Sequence, residues 1–148
     1  MHLRLKSANL DDLELLAEMN KRLIEDEGSS NPMSLLELQE RMRGFLAADW
    51  LADMIMRNED IVGYALYRFN PHLYDAGKKN VYLRQYFIKR EYRRQGIGLL
   101  GLEMLKEQRF GEVETLEIDV LSDNASGREF WTKVGLTPYS INMRTRLG

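Results

Sequence analysis

The spacing of apolar residues changes period several times along this chain, and each change marks an element. Leu3 and Leu5 alternate with polar neighbours, so residues 2–6 read as a strand. Asn9 then offers an N-cap, with Asp11 and Asp12 in the first turn, where a helix favours negative charge. Leu10, Leu13, Leu16, Ala17, Leu23 and Ile24 keep helical spacing to residue 26. Gly28-Ser29-Ser30-Asn31-Pro32 has the chemistry of a loop. Ser34 followed by Glu37 is a capping box, and Leu35, Leu38, Met42, Phe45 and Leu46 form one face of a second helix over 35–47.

Residues 51–57 and 61–69 are apolar runs divided by Asn58-Glu59-Asp60, the signature of a hairpin. A polar loop from Pro71 to Lys79 precedes residues 81–89, whose aromatic and β-branched content reads as a strand. Ile97, Leu100, Gly101, Met104 and Leu105 define a helix face ending near Gly111. Residues 115–121 read as a strand with Leu116, Ile118 and Val120 on one side. A helix starts at Asp123 or Asn124, runs through Val134 and closes at Gly135, and residues 138–147 read as a final strand. Strands joined by helices imply parallel neighbours and hairpins imply antiparallel ones, so the expectation is a mixed α/β sheet. No repeat, linker or low-complexity segment interrupts the pattern, which predicts one domain over 1–148.

Charge and composition narrow the chemistry. The formal net charge of −2 gives no reason to expect a nucleic-acid partner. No apolar run approaches the ~20 residues of a membrane span, and the N-terminus reads as neither a signal nor a transit peptide. The chain has no cysteine, which removes disulfides, thiolate nucleophiles and Cys-type zinc sites and fits a cytoplasmic location. With His2 and His72 the only histidines, a histidine-based triad or multi-histidine metal site is not expected. Chemistry here falls to carboxylates, tyrosines, water and backbone groups.

Between the strand at 81–89 and the helix from Ile97 lies Arg93-Arg94-Gln95-Gly96-Ile97-Gly98. A helix N-terminus leaves its first N–H groups unpaired and partly positive. Glycines there let the backbone close on an anion, and arginines add charge suited to phosphate oxygens. The turn therefore reads as a diphosphate site. Gly96-x-Gly98-x-x-Gly101 with Asp119 mimics a dinucleotide fingerprint, but seven residues, Lys89 to Gln95, separate the strand from the first glycine. Only 29 residues follow Asp119, too few for the remaining strand–helix units of that fold, and Gly101 reads instead as a close-packing position. No Lys-Ser or Lys-Thr follows the second glycine, so a kinase-type phosphate loop is not expected either.

The run Ile88-x-Arg90-Glu91-Tyr92-Arg93-Arg94-Gln95-Gly96-Ile97-Gly98 resembles the acetyl-CoA signature of the GNAT superfamily of N-acyltransferases. Asn124-Ala125-Ser126-Gly127-Arg128-Glu129-Phe130-Trp131-Thr132-Lys133-Val134-Gly135-Leu136 resembles a second segment of that family at its usual distance. The resemblance implies a mostly antiparallel mixed sheet, flanked by helices, with a central, splayed parallel strand pair. It implies acetyl-CoA as acyl donor, with no metal, and an amine acceptor, a small molecule or peptide. Homodimers are common in the family. Carried over by position, the backbone of Phe87, Ile88 and Lys89 would pair with the pantetheine arm as an added strand. Amides of Arg94, Gln95, Gly96, Ile97, Gly98 and Leu99 would bind the pyrophosphate, with Arg93 contacting or shaping the loop. Asn124 would touch the pantetheine from the far side, and Phe130 and Trp131 would line the thioester end.

With no cysteine, attack by the bound amine is expected to be direct, in a ternary complex, with a backbone N–H near Ile88 polarising the carbonyl. Many members of the family place a tyrosine where this chain has Trp131, whose indole is not acidic. Tyr139, Tyr86, Ser126 or water are the alternatives for protonating the thiolate, and Tyr139 is the residue named as acid. Asp119 is the candidate base, because Arg84 and Gln85 occupy the central strand where a carboxylate is often seen. Glu25, Asp26 and Glu27 end the first helix and are either a solvated cluster or an attractor for a cationic amine. Trp50 and Tyr64 are either core or walls of the acceptor pocket. A non-catalytic acyl-CoA-binding domain is the rival reading.

Overall fold

The computed structural model describes residues 2–148. Strand β1 (Leu3–Ser7) leads through a short 3-10 turn, capped reciprocally by Asn9 and Asp12, into helix α1 (Leu13–Asp26). Helix α2 (Leu35–Ala47) begins with the expected box: the Ser34 hydroxyl accepts from the Glu37 N–H, and the Glu37 carboxylate accepts from the Ser34 N–H. Then follow β2 (Leu51–Arg57), β3 (Asp60–Pro71), β4 (Lys79–Ile88), helix α3 (Ile97–Gln108), β5 (Thr115–Glu117) and helix α4 (Ala125–Lys133).

The strands form one sheet in sequence order, antiparallel except for the β4–β5 pair. Helices α1 and α2 cover one face, burying Leu13, Leu16, Met19 and Met42 against Met54, Met56, Tyr64, Leu66 and Phe87. Helix α3 covers the other, with Leu102 and Leu105 against Ala65, Tyr67, Val81 and Leu83. Both faces being covered explains why β2 and β3 read as near-continuous apolar runs rather than as clean alternation. The C-terminal end of α3 is pinned by a buried cluster. The Arg109 guanidinium donates to both oxygens of Asp53 at 3.0–3.2 Å, and the Tyr67 hydroxyl donates to the same carboxylate at 2.6 Å.

Two local features shape β4. Leu66 pairs with Gln85 but Tyr67 pairs with Leu83, so Arg84 is an extra residue in a β-bulge. The bulge breaks the two-residue alternation and turns Arg84 and Gln85 toward the same helix-covered face. Gly63 packs so closely on the strand that a Cβ there would lie 2.1 Å from the Phe87 carbonyl oxygen.

Two expected strands come out differently. The run 115–121 is a strand only over Thr115–Glu117, where it pairs with Asn80–Tyr82. Beyond Tyr82 and Glu117 the two parallel strands part. Residues 138–147 are in no strand at all. Their alternation suits a half-buried pleated surface, but a strand exists only where a neighbour supplies the ladder, and within this chain none does. The parallel pair therefore closes one edge of the sheet. Among the described residues no helix is long and apolar enough to cross a membrane.

Candidate functional site

The parting of β4 from β5 opens a slot along β4. The Lys89 N–H donates to the Val62 oxygen, so Lys89 faces β3, and strand alternation turns Phe87 the same way. Ile88 and Tyr86 present their backbone groups to the slot instead. Of the three residues expected to pair there, Ile88 turns its backbone toward the slot, while the amides of Phe87 and Lys89 face β3. The Ile88 carbonyl already accepts from Arg93 Nε at 2.8 Å, which leaves its N–H as the available group.

At the end of the slot the chain turns into α3. Arg94 (φ +62°) and Gly96 (φ +78°) both adopt left-handed backbone, and Gly96 caps the helix with no side-chain bond. The N–H groups of Arg94 through Leu99 donate to no other group among the described residues, the first helical bond being Leu100 N–H to Gly96. These donors lie at the positive end of a 12-residue helix. Arg94 stands exposed beside them, while the Gln95 amide oxygen accepts from Arg57. Gly98 faces inward: a Cβ there would lie 3.2 Å from the Phe130 ring.

Arg93 shapes this loop rather than extending from it. Its guanidinium bonds Ile88 and Asp26, and Arg90 shares the same aspartate and reaches Glu25 at 3.8 Å. Burial opposes the charge on Asp26, but hydrogen bonds from Arg93 and Arg90 outweigh it and hold the carboxyl below its ordinary value. Asp26 at the end of α1 is thus an ionic clamp on the turn, with Glu25 exposed at its margin. Glu27, outside the clamp, is half-buried, and burial with repulsion from Asp26 pushes its carboxyl up.

Beside the slot, Tyr86, Phe130 and Trp131 pack as a trio with centroids 4.9–6.4 Å apart. The Tyr86 hydroxyl donates to the Gly98 carbonyl oxygen, and burial raises its pKa. Asn124 caps α4, its side-chain oxygen accepting from the Gly127 N–H at 3.1 Å and from the Ser126 hydroxyl at 3.3 Å. Its amide nitrogen is the end left over for a ligand.

The opposite face of β4 carries the other candidates. The Tyr82 hydroxyl donates to Asp119, and burial with that bond raises the tyrosine pKa to about 12. Trp50 meets Tyr82 edge-on, and Arg84 lies over the rings of Phe45 and Trp50. Tyr64 is fully buried with its hydroxyl on Gln85 at 2.7 Å, so Tyr64 is core, and Trp50 is 8% exposed. No sequence motif points to Tyr82. Its placement one bulge away from Arg84 on an aromatic strand is the only local signal for it.

Tyr139 does not join this group. It is 77% exposed, with its hydroxyl 3.0 Å from that of Tyr74, and that contact raises its pKa. The strand that was expected to carry it back to the sheet does not form in this chain. Among the described residues no cluster of three His, Asp or Glu side chains is arranged for a metal ion.

A model of the acetyltransferase (GNAT) family matches residues 15–136. No curated protein matches the sequence significantly. Solved structures share the fold at low identity. A possible acetyltransferase of Clostridium difficile 630 superposes with a TM-score of 0.79 at 16% identity, over 99% of this chain and 97% of its own. A protein of Clostridium acetobutylicum described as a predicted acetyltransferase, solved with acetyl-CoA, gives 0.75 at 19% identity over 99% and 97%. Aminoglycoside N-acetyltransferase AAC(6')-Iy in complex with CoA gives 0.75 at 16% identity over 98% and 94%.

Proposed function

This chain belongs to the GNAT acetyltransferase family, and we propose that it transfers the acetyl group of acetyl-CoA to a primary amine by direct attack in a ternary complex. The observation that carries this reading is the row of unpaired N–H groups from Arg94 to Leu99 at the mouth of a slot along β4. Such donors at a helix N-terminus suit a pyrophosphate, and an extended arm suits a strand whose neighbour has moved away. In this reading the whole of 1–148 acts as one catalytic domain.

Acetyl-CoA supplies an acyl group activated as a thioester. The amides of Arg94, Gln95, Gly96, Ile97, Gly98 and Leu99 hold the pyrophosphate, with the exposed Arg94 adding charge. Arg93 fixes the loop through Ile88 and Asp26. The Ile88 N–H polarises the acyl carbonyl, the Asn124 amide nitrogen meets the pantetheine, and Phe130 and Trp131 wall the thioester end. Asp119 receives the proton of the attacking amine through water, and the Tyr82 hydroxyl holds its carboxylate in place. Water protonates the departing thiolate, since Trp131 has no acidic proton and Tyr139 is held against Tyr74. A thiol of pKa ~8.5 leaves tolerably near neutrality. The acceptor is a small-molecule or peptide amine; the aminoglycoside acetyltransferase that shares the fold places aminoglycosides in the panel to be tried.

The test is release of free CoA thiol from acetyl-CoA at pH 7–9 across amine classes, alongside calorimetric titration of acetyl-CoA. Binding with amine-dependent release is expected. Binding with silence across the panel would favour a non-catalytic acyl-CoA-binding domain, a reading that draws on Trp131 and on the distance of Tyr139 from the slot. No binding at all would remove both.

A further inference from the structure

We propose that the acceptor is an amine that also carries an anionic group, a carboxylate or a phosphate, and that Arg84 and Arg41 receive the anion while the amine lies toward Asp119. The proposal rests on the acyl-transfer reading for the role of this face. Two cations stand here without a counterion. The guanidinium of Arg41, on α2, lies 5.6 Å from the centroid of the Phe45 ring, and that of Arg84, at the β4 bulge, lies 5.0 Å from the same centroid. Among the described residues no carboxylate comes within 4.0 Å of either guanidinium. Arg84 is exposed. Arg41 donates to the Asn20 side-chain oxygen at 3.1 Å, while its Nε is buried and has no partner.

Like charges brought together over one ring are unfavourable, and so is a buried donor left unpaired. Burial and, after it, the charge of Arg84 lower the Arg41 pKa. The Phe45 and Trp50 rings offset part of the repulsion, but they offer no oxygen to the buried Nε. Elsewhere in this chain arginines have acids: Asp26 holds Arg90 and Arg93, and Asp49 lies 4.0 Å from Arg68, whose guanidinium covers Trp50. The Arg41–Arg84 pair lacks that acid. Its forked donors match the oxygens of a carboxylate or a phosphate.

Charge runs in one direction along this face. Arg84 lies 5.5 Å from the Trp50 centroid, Trp50 meets Tyr82 edge-on, and the Tyr82 hydroxyl donates to Asp119. Arg84 and Asp119 act on that hydroxyl with opposite sign. Asp119 and Glu117, both exposed, form the acidic end, and the two arginines form the basic end. An acceptor with separated charges satisfies both ends. A polycation would bring ammonium groups against two uncompensated guanidiniums.

The test is calorimetric binding, in excess CoA, of matched amines that differ only in the anionic group. The pairs are propylamine with 4-aminobutyrate, 2-phenylethylamine with L-phenylalanine, and ethanolamine with O-phosphoethanolamine; the aminoglycoside kanamycin is the polycation. An anionic member should bind at least about tenfold more tightly than its neutral partner, and the pair that shows it tells carboxylate from phosphate. Arg84→Gln should cut that ratio about tenfold, Arg84→Glu should cut it further by also neutralising Arg41, and Arg84→Lys should restore part of it. The ratio is the readout because a merely structural loss leaves it unchanged. Equal binding within every pair, tighter binding of neutral members or of kanamycin, no binding by any anionic member, or an unchanged ratio in Arg84→Gln overturns the proposal. Thiol release run beside the titrations separates the two readings. A preference without release strikes acyl transfer alone, and release that favours neutral amines strikes this proposal alone.

Discussion

The hydroxyl of Tyr86 donates to the carbonyl oxygen of Gly98 across 2.6 Å, and this bond joins the slot strand to the first turn of α3. It fixes the height of the helix N-terminus against the strand that the pantetheine arm would follow. Gly101 completes the contact, because a Cβ there would lie 2.5 Å from the same hydroxyl. Tyr86→Phe should cost about 1 kcal/mol of stability and weaken acetyl-CoA binding several-fold, read by thermal melts and calorimetry. Gly101→Ala, which pushes the two elements apart, should do more damage on both readouts.

Gly96 separates backbone strain from ligand exclusion. At φ +78° any L side chain costs about 1–2 kcal/mol, although the space around it is open. Gly96→Ala and Gly96→Glu should therefore lower the melting temperature equally, by a few degrees. Only the glutamate, placed beside the free amides, should abolish acetyl-CoA binding. Equal affinity in the two variants would contradict the proposed phosphate site.

Asn124 has a cap and an unused amide. Asn124→Ala should lose the bond to the Gly127 N–H and about 1 kcal/mol with it. Asn124→Asp keeps the cap and removes the donor. The aspartate variant should melt like wild type yet bind acetyl-CoA more weakly; unchanged affinity would leave Asn124 as a cap alone.

The Asp26 clamp ties stability to pH. Its carboxyl is held below the ordinary 3.8 by Arg93 and Arg90 against the opposing effect of burial. The stabilisation is therefore complete above about pH 5, begins to fall as the pH nears the ordinary value, and is lost as the pH drops through the depressed folded-state value. Asp26→Asn should be less stable than wild type at neutral pH, and the difference should vanish in strong acid. Denaturant titrations at a series of pH values measure it.

Asp53 is 1% exposed and its carboxylate satisfies Arg109 and Tyr67 together. Asp53→Ala strands both partners and should cost about 3–5 kcal/mol by chemical denaturation. Because the cluster lies at the C-terminal end of α3, the affinity of the folded fraction for acetyl-CoA should change little.

The limits of the helices and the first strands were legible because the interactions that set them span a few residues. Ser34 and Glu37 cap α2 reciprocally, as their spacing requires, and Asn9 starts the first helical turn. The glycine turn, with its free amides, likewise follows from residues adjacent in the chain. Tyr82 with Asp119 and Arg93 with Asp26 stand 37 and 67 residues apart, and no local pattern pairs them. The β4 bulge, which turns Arg84 and Gln85 to one face, depends on register against β3.

By itself, then, the sequence determined where the backbone bends, which faces are apolar and where a helix start leaves unpaired N–H groups, since these follow from short-range sterics and hydrogen bonding. Tertiary packing alone decided that Asp26 clamps the turn, that Tyr82 holds Asp119, and that Tyr139 stays away from the slot. Those outcomes depend on which distant surfaces meet, and a strand pattern such as 138–147 states only that it needs a neighbour, not where the neighbour lies.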